Sequence, residues 1–414
     1  MSSQTVTSAG ACESNHVKYV ILAFVALLTA GLLAARTRTN PSVATDRHHA
    51  IEQYAGNAAC AGCHQKESQD FARSGHARAL FRADSGEAAN LVDERSSPQQ
   101  NDPDPKHGRI EFKRVDGRLR AVALESSNGE LPIDWCFGSG EFGMTFVTLL
   151  QDRFGRSRLL EHHWSWFRDG DVLAQTPGHT VTNQASGLEF FGQVYDPGAT
   201  RMCFSCHTTA FRYDGARIDT ASMIPGVQCE RCHGPQRDHV ERMLRTKSPQ
   251  STKTRTPPPA RQQVYACGEC HRRPDEINDE IRPNNPVIAR FPSVGLVQSK
   301  CFLATEAQGT LTCVTCHDPH GAEHPPAGFY DGKCRDCHDP RRDPRNIACS
   351  AEPGDRSCIG CHMPKLPLHT NLKFTDHWIR PVRVSNENLL RSNLKQAIRG
   401  RAGIPSPLYS WERE

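Results

Sequence analysis

The chain has 414 residues, of which 37% are hydrophobic, and it carries a formal net charge of +4 with a mean hydropathy of −0.59. This length suits two or three domains, and the apolar content is lean for packing them. The small net charge excludes a function that depends on an acidic partner such as nucleic acid.

The first element is an apolar segment, residues 19–35, which follows a polar tail at 1–18. Its length is the lower limit for a helix that spans a bilayer, and it exceeds the core of most signal peptides. We therefore predict an N-terminal membrane anchor. A cleaved signal peptide is the alternative, because Ser42-Val43-Ala44 resembles a cleavage site. Arg36 and Arg38 run against the positive-inside rule.

A polar linker at 36–57 leads to the first of seven Cys-x-x-Cys-His pentapeptides, the attachment signature of c-type haem. On one helical turn, residues i, i+3 and i+4 share a face, so both cysteines reach the haem vinyl groups while the histidine ligates iron. We predict seven covalently attached haems. The motifs are Cys60-Ala-Gly-Cys63-His64, Cys203-Phe-Ser-Cys206-His207, Cys229-Glu-Arg-Cys232-His233, Cys267-Gly-Glu-Cys270-His271, Cys313-Val-Thr-Cys316-His317, Cys334-Arg-Asp-Cys337-His338 and Cys358-Ile-Gly-Cys361-His362.

Structural zinc and thioredoxin-type redox sites are the competing interpretations of a Cys-x-x-Cys pair. Neither needs a histidine directly after the second cysteine, so seven such histidines favour haem. Seven haems would also supply the apolar core that the chain lacks. With ionised propionates, they would bring the charge of the oxidised protein to about −3.

The motifs divide the remaining chain into a first haem segment at 58–107, a β-containing insert at 108–200, a six-haem region at 201–380 and a C-terminal tail at 381–414. Segments between the later motifs are short and rich in Pro and Gly, so they permit only short helices and loops. The predicted fold is therefore mainly α and irregular and packed around haem. It has a small inserted β module and an N-terminal membrane helix.

The insert carries the strand signals. Residues 109–115 alternate apolar and polar side chains, and Asp116-Gly117 predicts a hairpin turn into residues 119–124. Residues 142–150 and 158–167 predict further strands. We expect this module to serve mainly as packing for its neighbours.

Thirteen histidines lie outside the motifs, and some of them are expected to ligate iron on the face opposite the motif histidine. His320 follows His317 too closely to reach the opposite face of the same iron, so it would serve a neighbouring haem. The same argument applies to His239 after His233. The predicted distal ligands are His76, His179, His239, His320, His369 and His377, while His48, His49, His162 and His163 are weaker candidates.

Four segments carry a likeness to a known family. They are Asn57-Ala-Ala-Cys60-Ala-Gly-Cys63-His64, Gly226-Val-Gln-Cys229-Glu-Arg-Cys232-His233-Gly234-Pro235, Cys313-Val-Thr-Cys316-His317-Asp318-Pro319-His320 and Cys361-His362-Met363-Pro364-Lys365 with Phe374-Thr-Asp-His377-Trp-Ile-Arg380. Together they resemble the cytochrome c-554-type multihaem family, especially its longer bacterial relatives with seven or more motifs. Gly138-Ser-Gly140 and Pro177-Gly178-His179 are similar to the β-containing insert of those relatives.

The resemblance implies stacked haem pairs, two histidines on most irons and electron transfer in the periplasm. It supports His76, His239, His320 and His377 as distal ligands. The namesake of the family has four haems, so the additional motifs have no counterpart there.

Two functions follow from these features. The first is an electron carrier on the periplasmic side of the bacterial inner membrane, held there by its N-terminal helix or released by signal cleavage. Its partners would be a quinol-linked donor or another cytochrome. The second is an oxidoreductase that acts on a small nitrogen or sulfur compound at one haem without a distal ligand. We expect the carrier, because histidines are ample and the sequence contains no other catalytic constellation.

Overall fold

The computed structural model describes residues 51–85, 110–124, 129–179, 186–246, 258–278, 280–321, 325–339 and 357–382. The chain forms two compact units, Met1–Arg47 and His48–Glu414, and every described residue belongs to the second. Within the described ranges, no helix is both long and apolar enough to cross a membrane. The segment at 19–35, for which an N-terminal membrane helix was predicted, lies outside these ranges, so the anchor has no support in the structure.

The described residues form three 3₁₀-helices (Ile51–Gln53, Pro274–Glu276 and Glu306–Gln308) and thirteen α-helices, most of which are one to three turns long. In chain order they are α1 (Asn57–Ala61), α2 (Gln65–Ala72), α3 (Leu188–Phe191), α4 (Pro197–His207), α5 (Cys229–His233), α6 (Arg237–Thr246), α7 (Ala260–His271), α8 (Pro286–Ala289), α9 (Pro292–Leu296), α10 (Lys300–Thr305), α11 (Cys313–Cys316), α12 (Phe329–Arg335) and α13 (Cys358–His362).

The described residues also form thirteen strands. They are β1 (Leu80–Arg82), β2 (Ile110–Val115), β3 (Arg118–Ala123), β4 (Glu130–Pro132), β5 (Trp135–Phe137), β6 (Gly143–Gln151), β7 (Ser157–Phe167), β8 (Val172–Gln175), β9 (Gly192–Val194), β10 (Thr208–Asp214), β11 (Arg217–Pro225), β12 (Lys365–His369) and β13 (Leu372–Thr375).

The prediction of a mainly α and irregular fold is wrong, because strands make up 27% of the described residues. The sequence predicts strands only in the insert, yet strands also flank the haem motifs themselves. β10 begins directly after His207, and the β12–β13 hairpin follows the seventh motif. These strands have only three to nine residues. The alternation of apolar and polar side chains over so short a run does not distinguish a strand from a loop.

Within the insert, the predicted hairpin is confirmed. β2 and β3 pair from Val115↔Arg118 to Ile110↔Ala123, and Asp116 and Gly117 form the turn with φ of 50° and 75°. Positive φ at both central residues is the requirement of the two-residue turn that matches strand twist. The strands predicted at 142–150 and 158–167 are also present as β6 and β7.

A six-stranded antiparallel sheet forms the centre of the insert, in the order β1-β5-β6-β7-β8, with β9 pairing with β7 beside β8. A separate three-stranded sheet, β2-β3-β4, covers one of its faces, and the two share an apolar cluster that includes Phe112, Phe146 and Leu160. The other face packs against helix α4 through Leu159, Ala199 and Phe204. The insert therefore supports the second haem motif, which ends α4.

Strand β7 is buried on both faces, and its successive side chains serve different layers. Leu160 and His162 face the three-stranded sheet, where His162 lies 6.1 Å from the ring of Phe112. Leu159 faces helix α4. Between the pairs Thr145↔Ser165 and Val147↔Glu161, β7 contains two more residues than β6, which forms a bulge.

His162 is fully buried and neutral. Thr148 Oγ1 donates to the Pro132 carbonyl, so it accepts from His162 Nε2 at 2.9 Å, while His162 Nδ1 has no hydrogen-bond partner in the described part of the chain. Burial lowers the pKa of His162 to about 3, because the charged imidazolium would lose its water.

We expect acid to destabilise the insert through His162. Between pH 6.5 and pH 3, His162 is protonated in the unfolded chain but stays neutral in the folded chain. The free energy of unfolding therefore falls as the pH decreases through this range. At pH 5 the expected loss is about 2 kcal/mol. The measurement is the change in unfolding free energy between pH 7 and pH 5 for the natural protein and for His162→Gln. Equal changes in both proteins would contradict the prediction, because glutamine does not titrate.

Candidate haem sites

The motif cysteines and histidines lie on single helical turns. The motif histidine donates its backbone N–H to the carbonyl of the first cysteine in three examples: His64 to Cys60 at 2.8 Å, His317 to Cys313 at 2.9 Å and His338 to Cys334 at 2.8 Å. This bond fixes the i, i+3 and i+4 positions on one face, which is the arrangement that haem attachment needs.

One motif histidine and one histidine outside the motifs have ring orientations that are fixed by a hydrogen bond to a backbone carbonyl. His207 Nδ1 donates to the Ala79 carbonyl at 2.9 Å, and His377 Nδ1 donates to the Thr375 carbonyl at 2.9 Å. A carbonyl accepts only, so each Nδ1 carries the proton and each Nε2 presents a lone pair. Metal-ligating histidines are oriented in this way.

Three motif histidines each have a histidine from outside the motifs at a similar ring distance, with the two ring planes inclined by 80°, 9° and 36° in the three pairs. The ring centroids lie 6.0 Å apart for His76 and His271, 6.0 Å for His233 and His320, and 6.2 Å for His317 and His377. An iron with a nitrogen about 2 Å away on each side would separate two ring centroids by about 6 Å. The donor set therefore fits haem with two axial histidines at these three places.

The remaining predicted distal ligands do not form such pairs in the described residues. His239 lies on α6, and the ring of His369 stacks on Phe167 at 5.1 Å. Both ring nitrogens of His179 are hydrogen-bonded to side chains of β7. His48 and His49 lie outside the described residues, and His162 faces the apolar layer described above.

The motif sulfurs would carry the thioether bonds to haem, so neighbouring sulfurs identify neighbouring motifs. Cys60 of the first motif is close to Cys229 of the third, and burial with this neighbour raises the pKa of Cys60 to about 11. Cys206 Sγ of the second motif lies 3.9 Å from the carbonyl oxygen of Glu269, and the neighbouring Cys270 raises the pKa of Cys206, so the second and fourth motifs are close.

The chain of neighbouring motifs continues toward the C-terminus. Cys267 of the fourth motif and Cys313 of the fifth are neighbours, and this proximity lowers the pKa of Cys267 and raises that of Cys313. Burial raises the pKa of Cys334 to about 11, with further contributions from Cys358 and Cys316, so the sixth motif is close to the seventh and the fifth. Each of the seven motifs thus has at least one other motif as a near neighbour.

Arg231 of the third motif lies where three motifs meet, and it is only 9% exposed. Its guanidinium is 3.3 Å from Glu269 Oε2 and 3.7 Å from Cys270 Sγ, both in the fourth motif. It also approaches the carbonyl of Ser205, in the second motif, at 3.4 Å. Burial lowers the pKa of Arg231, but Cys270 and Glu269 outweigh it, so the net shift is upward and the side chain stays charged.

The second motif has different surroundings. In the described residues no imidazole ring faces His207; instead the ring of Phe137 stacks on it with the centroids 4.6 Å apart. Glu161 and Arg290 lie within electrostatic reach of His207, and burial lowers the pKa of His207 more than Glu161 raises it. Arg272 lies directly after the fourth motif. Its positive charge lowers the pKa of Cys203 and Cys206 of the second motif, although burial and neighbouring groups keep both values raised.

A polar network connects Glu161 to three other side chains. Glu161 Oε2 accepts from Tyr195 Oη at 2.8 Å and is 2.9 Å from His179 Nε2. His179 Nδ1 is 2.9 Å from His163 Nδ1, and His163 Nε2 is 3.0 Å from the carbonyl of Glu189. Although burial opposes it, the bonds from His179 and Tyr195 lower the pKa of Glu161.

Sequence analysis missed Glu161, Tyr195, Arg290 and Arg272, and it ranked His163 as a weak candidate. No spacing in the sequence joins β7 to residues more than 100 positions away, such as Arg290. The one available signal is that a carboxylate and two imidazoles at 161–163 lie in the middle of a strand rich in Leu, Trp and Phe.

A family model with the description "Cytochrome c554 and c-prime" matches residues 178–234, which include His179 and the second and third motifs. The chain is 24% identical over 188 residues to the multiheme cytochrome MtrA of Shewanella baltica, which covers 41% of this chain and 55% of MtrA. It is 21% identical over 389 residues to the dissimilatory sulfite reductase MccA of Wolinella succinogenes, which covers 75% of this chain and 51% of MccA. The chain spans about half the length of these curated relatives.

Two solved structures are also similar at 14% identity. The outer cell wall cytochrome OcwA has a TM-score of 0.47, with 82% of each chain covered. The undecaheme cytochrome from the S-layer of Carboxydothermus ferrireducens has a TM-score of 0.40, with 84% of this chain and 56% of that chain covered. From the seven attachment motifs, the family match and the multihaem relatives, we conclude that this chain is a multihaem c-type cytochrome.

Proposed function

We propose that the protein carries seven haems outside the cytoplasm and passes electrons along them between a donor and an acceptor. When bound, haem supplies one-electron chemistry at an iron whose potential the polypeptide sets. Attachment of haem to cysteines takes place on the outer side of bacterial membranes, which supports a periplasmic or more external location. A quinol-linked enzyme or another cytochrome is the partner class.

The three imidazole pairs with ring centroids about 6 Å apart are the main support for this proposal. His76 would complete the site of His271, His320 that of His233, and His377 that of His317. Each pair joins a motif to a different part of the chain, so ligation would also cross-link the fold. An iron with both axial positions filled cannot bind substrate and is suited to electron transfer.

Neighbouring sulfurs support a connected path. The contact of Cys60 with Cys229 brings the first and third motifs together, and Arg231 joins the third motif to the second and fourth. The contact of Cys267 with Cys313 extends the series to the fifth motif. Electrons could then travel from one end of the protein to the other without a long gap.

Replacing His377 by alanine tests the assignment of the distal ligands. We expect one low-spin ferric signal to be lost and one high-spin signal to be gained in the electron paramagnetic resonance spectrum, because a single iron loses its axial nitrogen. Added imidazole should restore the low-spin signal by filling the open position. Intact-mass spectrometry of the same samples counts the attached haems. An unchanged number of low-spin signals in His377→Ala would contradict the assignment.

The second motif favours a second candidate function, catalysis at one open haem. In the described residues no imidazole lies at the pair distance from His207, and Arg290 and Arg272 provide positive charge that would attract an anion. The relative MccA is described as a sulfite reductase, which agrees with a small oxyanion as substrate. Binding of nitrite, sulfite or hydroxylamine to the oxidised natural protein, seen as a change in a high-spin signal, would support this function. Purely low-spin spectra would exclude it.

A further inference from the structure

We propose that the buried guanidinium of Arg231 raises the reduction potentials of the haems at the second, third and fourth motifs, and that Glu269 opposes it. The pair would thus set where electrons rest within the series of haems. This inference rests on the proposed function, because it requires haem attachment at these three motifs. It concerns a charge that neither axial ligation nor covalent attachment uses.

The position of Arg231 is fixed by contacts with two other motifs. Its Nη2 donates to the carbonyl of Ser205, in the second motif, at 3.4 Å and lies 3.7 Å from Cys270 Sγ, in the fourth. Its Nη1 donates to Glu269 Oε2 at 3.3 Å. Cys270 Sγ is one of the two sulfurs that would bond the haem of the fourth motif. The positive charge therefore lies directly beside a point of haem attachment.

The charge of Arg231 is poorly hydrated. Its side chain is 9% exposed, while that of Glu269 is 20% exposed. A guanidinium stays protonated in proteins, so the junction of the three motifs holds a permanent cation. Away from water, its field is weakened little by solvent. Glu269 cancels part of this field, but its own charge is better hydrated and more strongly screened.

The charge of Arg231 is not needed to hold the turn of the third motif or to fill space. That turn is held by the backbone, since Arg231 N donates to the Gln228 carbonyl at 2.9 Å, a bond that almost any residue could form. Burying an ion pair costs hydration, and apolar side chains of similar volume often replace one without loss of stability. The charge therefore calls for an explanation other than packing.

A cation at this junction favours the reduced state of the surrounding haems, because reduction adds one negative charge to each iron centre. The third motif neighbours the first through Cys229 and Cys60, and the fourth neighbours the fifth through Cys267 and Cys313. Arg231 thus lies where the path between the two ends of this series passes. Electrons that arrive from either end are stabilised at the junction.

The test is a redox titration of the complete haem-loaded protein, followed by absorption and paramagnetic resonance. In Arg231→Met we expect at least one haem to become harder to reduce, by about tenfold in its equilibrium constant or about 59 mV. Glu269→Gln removes the opposing charge, so it should make the same haem easier to reduce. Arg231→Lys keeps the positive charge and should restore most of the natural potential.

The matched control is Arg335→Met. Arg335 also lies between the two cysteines of a motif, the sixth, but it is exposed. Water and salt screen its charge, so its loss should leave the titration unchanged.

A purely structural role of Arg231 would make Arg231→Lys resemble Arg231→Met and would give Glu269→Gln no shift of opposite sign. Either result would overturn the inference. Intact-mass spectrometry counts the haems in each variant. If Arg231→Met fails to retain them, the sign of the shift in Glu269→Gln decides the question alone. Fewer than seven haems in the natural protein would instead refute the proposed function.

Discussion

Replacing Gly226 by alanine is expected to lower the free energy of unfolding by about 3 kcal/mol or more. Gly226 has a φ of +74°, and a Cβ there would lie 2.2 Å from the carbonyl oxygen of Ala77. Gly226 N also donates to the His207 carbonyl at 3.1 Å, and the next residue, Val227, donates to the His76 carbonyl at 2.9 Å. The substitution would therefore push the first haem segment away from the second and third motifs.

The measurement is the denaturant midpoint of the haem-loaded protein, together with its low-spin signals. Because His76 faces His271, displacement of His76 should convert one low-spin haem to high spin. Gly215→Ala is the matched control, since Gly215 also has a positive φ, +52°, but a Cβ there meets no atom within 4 Å. It should cost only about 1 kcal/mol. Equal losses in both variants would contradict the predicted close approach at Gly226.

Replacing Glu230 by alanine should be the second severe change, with an expected cost of about 3–5 kcal/mol. Glu230 is 3% exposed, and its carboxylate accepts from the backbone N–H groups of Ala55, Gly56 and Gln236, each at 2.8 Å. Alanine would leave three donors without this acceptor. It would also release residues 51–85 from the third motif, so the contact between Cys60 and Cys229 should loosen.

Limited proteolysis measures this release directly, because cleavage in residues 51–85 should accelerate in Glu230→Ala. Glu230→Gln keeps one acceptor oxygen, so its rate of cleavage should lie between those of the natural protein and Glu230→Ala. Glu241→Ala is the control: Glu241 forms an exposed ion pair with Arg245 at 3.8 Å, and its loss should cost less than about 0.5 kcal/mol. Proteolysis of Glu230→Ala at the rate of the natural protein would argue against the anchoring role.

Local signals in the sequence predicted local structure well. The Asp116-Gly117 turn and the strands around it follow from positive-φ preferences and alternation, which act over a few residues. The attachment motifs follow from the geometry of one helical turn. The strands beside the motifs were missed because β10 and β12 are stabilised by hairpin partners and by packing, not by a distinctive pattern of their own.

Long-range geometry was predictable only in part. Exclusion predicts His320 as a ligand of a neighbouring haem, and the resemblance supports His377 as a distal ligand. The ring centroids of these residues lie 6.0 Å from that of His233 and 6.2 Å from that of His317. That ligation stays a prediction. The network of Glu161 could not be predicted, because it joins β7 to Tyr195 and His179 across turns whose direction depends on the complete sheet.

The bulge in β7 has a consequence for how this protein can change in evolution. It contains two additional residues, an even number, so the alternation of side chains is kept: Leu160 before the bulge and Trp164 and Trp166 after it lie in the same apolar layer. A deletion of one residue there would exchange the roles of His162 and His163 and would place a carboxylate in a dry layer. Length changes at this point should therefore occur in steps of two, while single substitutions elsewhere on the strand alter the chemistry of one side only.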